Sequence, residues 1–327
     1  MKAVGVYEYL AVSEADSLVD VDIEKPKAHG KDLLVKVKAI SVNPVDTKVR
    51  IRGPKGVREP KPKILGWDVA GVVEETGEKT SLFHMGDEVY YSGSIIRPGC
   101  NSEYHLVDER IVGKKPQRLS FEEAAALPLT TITAWEALFE RLNIQAQPAS
   151  NAGGRVLIIG GAGGVGSIAI QLAKQLAGLE VIATASREES INWCKKMGAD
   201  YCINHYNPFK DEFETIGIQD VDYILCFNST EMHLQNMVDV IKPQGKICTI
   251  VETKDKQPLN INLFQSKSVI FAWELMFTKS IYQTPDMQSQ HDLLNQVSEL
   301  LDRNILTTTL TELIGHINAT NLKELLG

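Results

Sequence analysis

The sequence predicts an α/β protein in two parts: a doubly wound parallel sheet through the middle of the chain, and a mainly β domain made from its beginning and its end. Three observations carry this. From residue 155 to 277, apolar runs of strand length alternate with amphipathic helical stretches, the pattern of right-handed parallel crossovers. The first 120 residues instead hold strand-like runs parted by turns rich in Gly, Pro, Asp and Asn, with little helical period. Finally, 327 residues exceed the roughly 250–300 at which a single core stops growing.

Taken in order, "LLVKVKAISV", "DVAGVVEETG", "DEVYYSG" and "SEYHLVDERIVGKKP" are the strand-like runs of the first part. Within "ISVNPVDTKVR", Pro44 lacks an N–H and fixes φ, so the strand stops there and a turn carrying Asn43 and Asp46 is expected. Near residue 120 the character changes. Ser120 followed by Glu123 is a capping-box pattern that opens a helix, and "TAWEALFERL" opens another. The middle strands are "RVLIIG", "EVIATA", "DYCIN", "VDYILCF", "GKICTIV" and "SVIFAWELMF"; the unbroken apolarity of "VLII" and "YILCF" suits strands covered on both faces. Past residue 280 the chain predicts a helix in "TPDMQSQHDLLNQVSELLDRN", a strand in "ILTTTLTELI" and a capped helix in "NATNLKELLG". The expected division is residues 1–122 with 284–327 as one discontinuous domain and residues 123–283 as the other.

Composition narrows the function. Net charge is −8, and Lys and Arg are scattered, so no basic face for nucleic acid is expected. No apolar run reaches the roughly 18 residues of a membrane helix, and "MKAVGVYEYL" lacks the features of a signal peptide; a cytoplasmic protein is expected. Cys100, Cys194, Cys202, Cys226 and Cys248 are widely spaced and lie mostly in apolar runs, which reads as reduced core thiols rather than a zinc knuckle or redox dithiol.

The strongest motif is "VLIIGGAGGVGSIAIQLAKQL". Gly161, Gly163 and Gly166 satisfy G-x-G-x-x-G between a strand and a helix: the first for a tight turn, the second for approach to a pyrophosphate, the third for close helix–strand packing. The helix starts near Val165, after Gly164, and its unpaired N–H groups and dipole favour an anion. At the end of the second strand, where NAD-preferring sites carry Asp or Glu, stand Ser186 and Arg187. A hydroxyl and a guanidinium suit a 2′-phosphate, so NADPH is expected over NADH. Ser186 is also a good N-cap for the next helix, so both roles stand together.

With "VNPVDTKVR", "LGWDVAGVVEETG", "GDEVYYSGS" and "LPLTTITAWEAL" preceding "GGAGGVGSIAIQLAK", the chain resembles the medium-chain dehydrogenase/reductase superfamily, within it the quinone oxidoreductase branch and proteins called zinc-type alcohol dehydrogenase-like. The resemblance implies a GroES-like β domain, a Rossmann domain, a cleft between them where nicotinamide meets substrate, and dimers joined through Rossmann edge strands at "SVIFAWELMF". It also implies a further helix and strand after "NATNLKE", where this chain closes with "LLG". The zinc branch carries a metal-binding Cys at the place of Asn43 and Gly-His-Glu at the place of Gly66-Trp67-Asp68, and its lobe of four cysteines is reduced here to Cys100. Too few ligands remain for a catalytic or a structural zinc, and no metal is expected; Asp46, Asp68, His84 and His105 could gather a set only through folding.

A metal-free site favours reduction over alcohol oxidation: hydride passes from NADPH to a quinone or to the β-carbon of an α,β-unsaturated carbonyl, while hydrogen-bond donors stabilise the developing oxyanion. By resemblance Asn43 lies beside the nicotinamide ribose and the carbonyl, Asp46 holds the turn, Thr130 lines the nicotinamide face, Trp67 closes part of the pocket, and Tyr91 is a phenol near its wall. Lys48 stands where some relatives have a substrate-reaching tyrosine, so no proton donor carries over. His205 corresponds to an aromatic position flanking the 2′-phosphate, and Asn228 and Val251 follow strands at the edge where open α/β sheets bind ligands. Plainer readings compete: turn amides, a helix Thr bonded to its own backbone, core packing for Trp67, an exposed loop histidine. An NADPH-binding redox sensor with little catalysis is the alternative from another class, and a zinc alcohol dehydrogenase the third.

Overall fold

A computed structural model describes residues 1–146, 154–254 and 257–326. Its contacts divide the chain into two units, Met1–Leu129 with Phe277–Gly327 and Thr130–Met276.

The first unit is built on β1 (Lys2–Val6), β2 (Val19–Asp22), β3 (Asp32–Ser41), β4 (Lys63–Ile64), β5 (Asp68–Thr76), β6 (Glu88–Ser92), β7 (Tyr104–Asp108) and β8 (Val112–Lys114). They form a three-stranded sheet of order β2-β1-β4 and a five-stranded sheet of order β7-β3-β5-β6-β8, antiparallel throughout. The turn expected after Pro44 is instead a helix, α1 (Pro44–Ile51), with Asn43 at its N-cap. Proline is preorganised for the first helical position, where its missing N–H costs nothing. Asp46, three residues past the cap, accepts the Asn43 backbone N–H at 2.6 Å, the reciprocal half of a capping box.

Ser120 and Glu123 form the full box: Oγ accepts the Glu123 N–H at 3.2 Å and Oε2 accepts the Ser120 N–H at 2.9 Å, opening α2 (Phe121–Ala125). The next helix, α3 (Pro128–Trp135), starts earlier than "TAWEALFERL" suggested and runs on as a π-helical turn over Glu136–Arg141.

In the second unit β9 (Arg155–Ile159), β10 (Glu180–Thr184), β11 (Tyr201–Ile203), β12 (Val221–Cys226), β13 (Ile241–Thr249) and β14 (Ile270–Trp273) form one parallel sheet. The order β11-β10-β9-β12-β13-β14 is that of the Rossmann fold, with its switch point between β9 and β12. The intervening helices are α4 (Gly164–Gln175), α5 (Glu188–Met197), α6 (Phe209–Thr215) and α7 (Thr230–Val240). Val156, Leu157, Ile158, Val181, Ile182 and Ile224 are fully buried, as strands covered on both faces require. Helix α5 carries Glu188 and Glu189 in its first turn and Lys195 and Lys196 in its last, and ends on left-handed Gly198 at φ 111°, which complements the helix dipole and satisfies the last carbonyls.

The chain then returns to the first unit as α8 (Thr278–Tyr282), α9 (Ser289–Asp302) and α10 (Ala319–Leu326). The Tyr90 hydroxyl donates to the Leu294 carbonyl at 2.6 Å, and His291 Nδ1 meets the Val112 carbonyl at 2.6 Å. Asn318 caps α10 by accepting the Asn321 N–H at 2.9 Å, and the Ala319 N–H donates to Asp20 at 3.0 Å. "ILTTTLTELI" is not a strand. Its β-branched threonines look like strand formers, but Thr308 and Thr309 donate their hydroxyls to the Glu123 and Ala126 carbonyls at 3.0 and 3.3 Å, so side chains rather than a ladder hold the segment. Among the described residues no helix is long and apolar enough to cross a membrane.

Ser120→Ala is expected to lower the stability of the first unit by about 1 kcal/mol, the usual value of a lost N-cap, read as a lower urea midpoint with an unchanged slope.

Candidate active site

In the first unit, register pairs Ser41 with Asp68, so the residue that starts β5 lies beside the end of β3, just ahead of Asn43. Asp68 is fully buried. Its Oδ2 accepts from Asn43 Nδ2 at 2.8 Å and its Oδ1 accepts from the Leu129 N–H, in the first turn of α3, at 2.8 Å. Asp46 lies near enough to act on it electrostatically. Burial pushes the Asp68 carboxyl well above the usual range; the Asn43 and Leu129 bonds oppose this and Asp46 adds to it. Burial likewise lifts Asp46 to about 7, against the pull of the Asn43 and Gly66 backbone amides. Asp46 Oδ1 is buried with no hydrogen-bond partner, an arrangement that favours the protonated acid.

The neighbouring aromatic residues are committed elsewhere. Trp67 is buried, donates Nε1–H to the Ser94 carbonyl at 3.1 Å and packs edge-on against Phe277. Tyr91 is fully buried with its hydroxyl 2.9 Å from His105 Nδ1, and His105 Nε2 lies 3.0 Å from the Pro98 carbonyl. A carbonyl only accepts, so Nε2 carries the proton and Nδ1 accepts from Tyr91. Burial lowers His105 to about 4, keeping the ring neutral, and raises the Tyr91 phenol well above its usual range. Tyr91 is therefore a buried strut, not the accessible phenol that sequence suggested. Gly66, at φ 88°, precedes Trp67 because a Cβ there would stand 2.3 Å from Asn101 Oδ1.

These residues do not fit zinc. Asn43 and Trp67 are not ligands of the kind zinc takes, both Asp68 oxygens are occupied by N–H donors, and among the described residues no three His, Cys, Asp or Glu side chains gather as a metal set.

In the second unit the loop after β9 holds the fingerprint. The left-handed glycine of the turn is Gly160, at φ 86°, rather than Gly161. Gly161 is needed for packing: a Cβ there would lie 2.7 Å from Ala183 Cβ and 3.1 Å from Cys194 Sγ. A Cβ on Gly166 would lie 2.2 Å from the Gly160 carbonyl oxygen, whereas Gly163 faces open space apart from that same oxygen at 3.4 Å. Gly163 and Gly164 are exposed, Val165 half-buried. Gly163 is the N-cap of α4 and no side chain caps it, so first-turn N–H groups stay available to a phosphate. The Thr130 γ-methyl would lie 3.0 Å from a Cβ on Gly164, which puts Thr130 against the mouth of this loop.

The remaining predicted cofactor residues all follow strands at the same carboxyl edge. Arg187 is exposed and is itself the N-cap of α5, with no side-chain cap bond, so Ser186 stands one residue too early to cap the helix. His205, after β11, is half-buried 4.3 Å from the Tyr206 ring, and burial lowers its pKa; a neutral ring can stack but not ion-pair. Asn228, after β12, is exposed and accepts from Ser229 Oγ at 3.0 Å; its Cβ flanks the side of Gly160. The Val251 carbonyl, after β13, accepts from Thr230 Oγ1 at 3.3 Å.

Residues 29–117 match the alcohol dehydrogenase GroES-like domain and residues 164–299 match the zinc-binding dehydrogenase domain. A zinc-type alcohol dehydrogenase-like protein of Staphylococcus epidermidis is 43% identical over 99% of this chain and 94% of its own. A solved structure from Rhizobium etli, described as a zinc-dependent alcohol dehydrogenase, superposes with TM-score 0.92 at 48% identity, covering 99% of this chain and 93% of that one. An NADPH-dependent alkenal/one oxidoreductase of Arabidopsis thaliana is 34% identical over 71% of this chain and 58% of its own. The chain belongs to the medium-chain dehydrogenase/reductase superfamily, whose members are oxidoreductases that bind a nicotinamide cofactor.

From sequence, Asp68 and His105 stood only as members of a conceivable metal set, not as the hydrogen-bonding partners of Asn43 and Tyr91. The available signal was a carboxylate and an imidazole inside apolar strand runs, which must find partners.

Burial lifts the Asp46 carboxyl to about 7 in the folded chain, against about 3.9 when unfolded. Between these values the folded state holds the extra proton, so the Asp46 contribution to stability is full at acid pH and is lost as pH rises through 7. Asp46→Asn, which can still accept the Asn43 N–H, should gain on the parent by up to about 4 kcal/mol between pH 4 and 8, measured as the difference in urea unfolding at each pH.

Proposed function

We propose that this protein is an NADPH-dependent reductase of α,β-unsaturated carbonyl compounds, with quinones as a second class of acceptor. The observation that carries the reading is the uncapped, exposed glycine loop of α4 beside a β10 end that offers Ser186 and exposed Arg187 where an acidic residue would select NADH. The similarity to the alkenal/one oxidoreductase supports the acceptor class.

When bound, NADPH supplies the hydride. The N–H groups of Gly164, Val165 and Gly166 would hold its pyrophosphate, Arg187 and Ser186 would hold the 2′-phosphate, and neutral His205 would stack beside it. Asn228 and Val251 border the same strand edge, and Thr130 borders the loop mouth. In the first unit Asp68 fixes the Asn43 amide, and Asp46 fixes the Asn43 backbone; Asn43 is the residue we assign to the nicotinamide ribose and the substrate carbonyl. Trp67 packs against Phe277 in the same unit. The chemistry NADPH would supply is hydride transfer to the β-carbon, with the α-carbon protonated from solvent.

We also assign β14 as a pairing edge for a second copy, because it ends the sheet with Ile270 and Trp273 half exposed, at 52% and 50%.

Purified protein should oxidise NADPH with a simple enone and with 1,4-benzoquinone; tight NADPH binding with no turnover on either would favour the sensor reading instead. Arg187→Ala should weaken NADPH at least about tenfold and leave NADH nearly unchanged. Equal losses for both cofactors would reduce Arg187 to a surface residue of α5.

A further inference from the structure

Cys194 lies on α5 and Cys202 on β11, with no local motif joining them, yet the fold sets both thiols in the layer between α5 and the sheet, close enough for each to shift the other's titration. Both are free; Cys194 is fully buried and Cys202 is half-buried. Cys202 Sγ also approaches the Ile191 carbonyl, one turn before Cys194, at 3.8 Å. Register sets Cys202 beside Ala183 of β10. Ala183 and the Cys194 sulfur are the two groups that close on Gly161, at 2.7 and 3.1 Å from where its Cβ would be. The buried sulfur of the pair is therefore part of the wall behind the first fingerprint glycine.

We propose that Cys194 and Cys202 form an oxidation site for hydroperoxides, closing to a reversible disulfide that disturbs the glycine loop and weakens dinucleotide binding; only this last effect rests on the cofactor reading above. Cys202 is the attacking sulfur. Cys194, as a donor to the Cys202 thiolate, holds that thiol below the usual range, with help from Lys195 and against the effect of burial, and Cys202 is the more accessible of the two. Its thiolate attacks one peroxide oxygen: an S–O bond forms, the O–O bond breaks, and the other oxygen leaves with a proton as alcohol or water. The Cys194 thiol then attacks the Cys202 sulfenic acid, forming S–S, breaking S–O and releasing water. Two thiols lose two electrons and the hydroperoxide gains them. A disulfide draws the sulfurs to about 2.0 Å, so Cys194 Sγ must leave its seat against Gly161.

The test uses the whole protein treated with tert-butyl hydroperoxide, differential alkylation with peptide mass spectrometry, and NADPH titration by fluorescence. A Cys194–Cys202 crosslink is expected, with the NADPH dissociation constant raised about tenfold and restored by dithiothreitol. Cys202→Ser should bind NADPH like the parent and resist the change, and Cys194→Ser should accumulate oxidised Cys202 without a crosslink. Recovery of both thiols uncrosslinked would overturn the site, and a crosslink that leaves NADPH affinity unchanged would overturn the coupling. Reduced protein that fails to bind NADPH would sink the proposed function, while the alkylation map would still decide the disulfide.

Discussion

A single buried carboxylate organises the first unit. Asp68 begins β5 without solvent and takes one N–H from the Asn43 side chain and one from the first turn of α3. A carboxyl in that position is tolerable because donors meet both oxygens, and removing either donor would leave an unsatisfied buried polar group. The same requirement fixes the rotamer of Asn43 and the start of α3. Asp46, bound to the Asn43 backbone, is likewise displaced toward its neutral form in these low-dielectric surroundings.

The second unit is governed by crowding rather than charge. Gly161 and Gly166 have no room for a methyl group because β10, α5 and the loop's own carbonyls press against them, while Gly163 is open on its outer side. Tight packing on the inside leaves N–H groups presented on the outside. That combination lets an anion approach the backbone closely, and it also makes the loop responsive to whatever happens in the wall behind it.

Local patterns were legible in the sequence and long-range pairing was not. The fingerprint, the Ser120–Glu123 box and the six parallel strands were readable because period and spacing are properties of neighbouring residues. Asn43-Pro44-x-Asp46 was seen as polar residues on a turn, and the structure makes it the start of α1, since N-cap and proline-at-N1 chemistry resemble turn chemistry at this length. The importance of Asp68 depended on a β3–β5 register that no local window contains. Tyr91 seemed available only until His105, from another strand, took its hydroxyl. "ILTTTLTELI" misled because β-branching signals strand whether or not a partner strand exists.

The bond from Asn43 to Asp68 also bears on how such a chain could change over evolutionary time. Replacing Asn43 by cysteine, the metal-binding residue of the zinc branch, would exchange a strong amide donor for a weak thiol and strip Asp68 of one of its two partners. Trp67 would still fill the place of a second ligand, tied to Ser94. Asn43→Cys alone would therefore unsettle the buried carboxyl before any metal could bind, so a change toward the zinc branch calls for coupled substitutions at positions 43, 67 and 68.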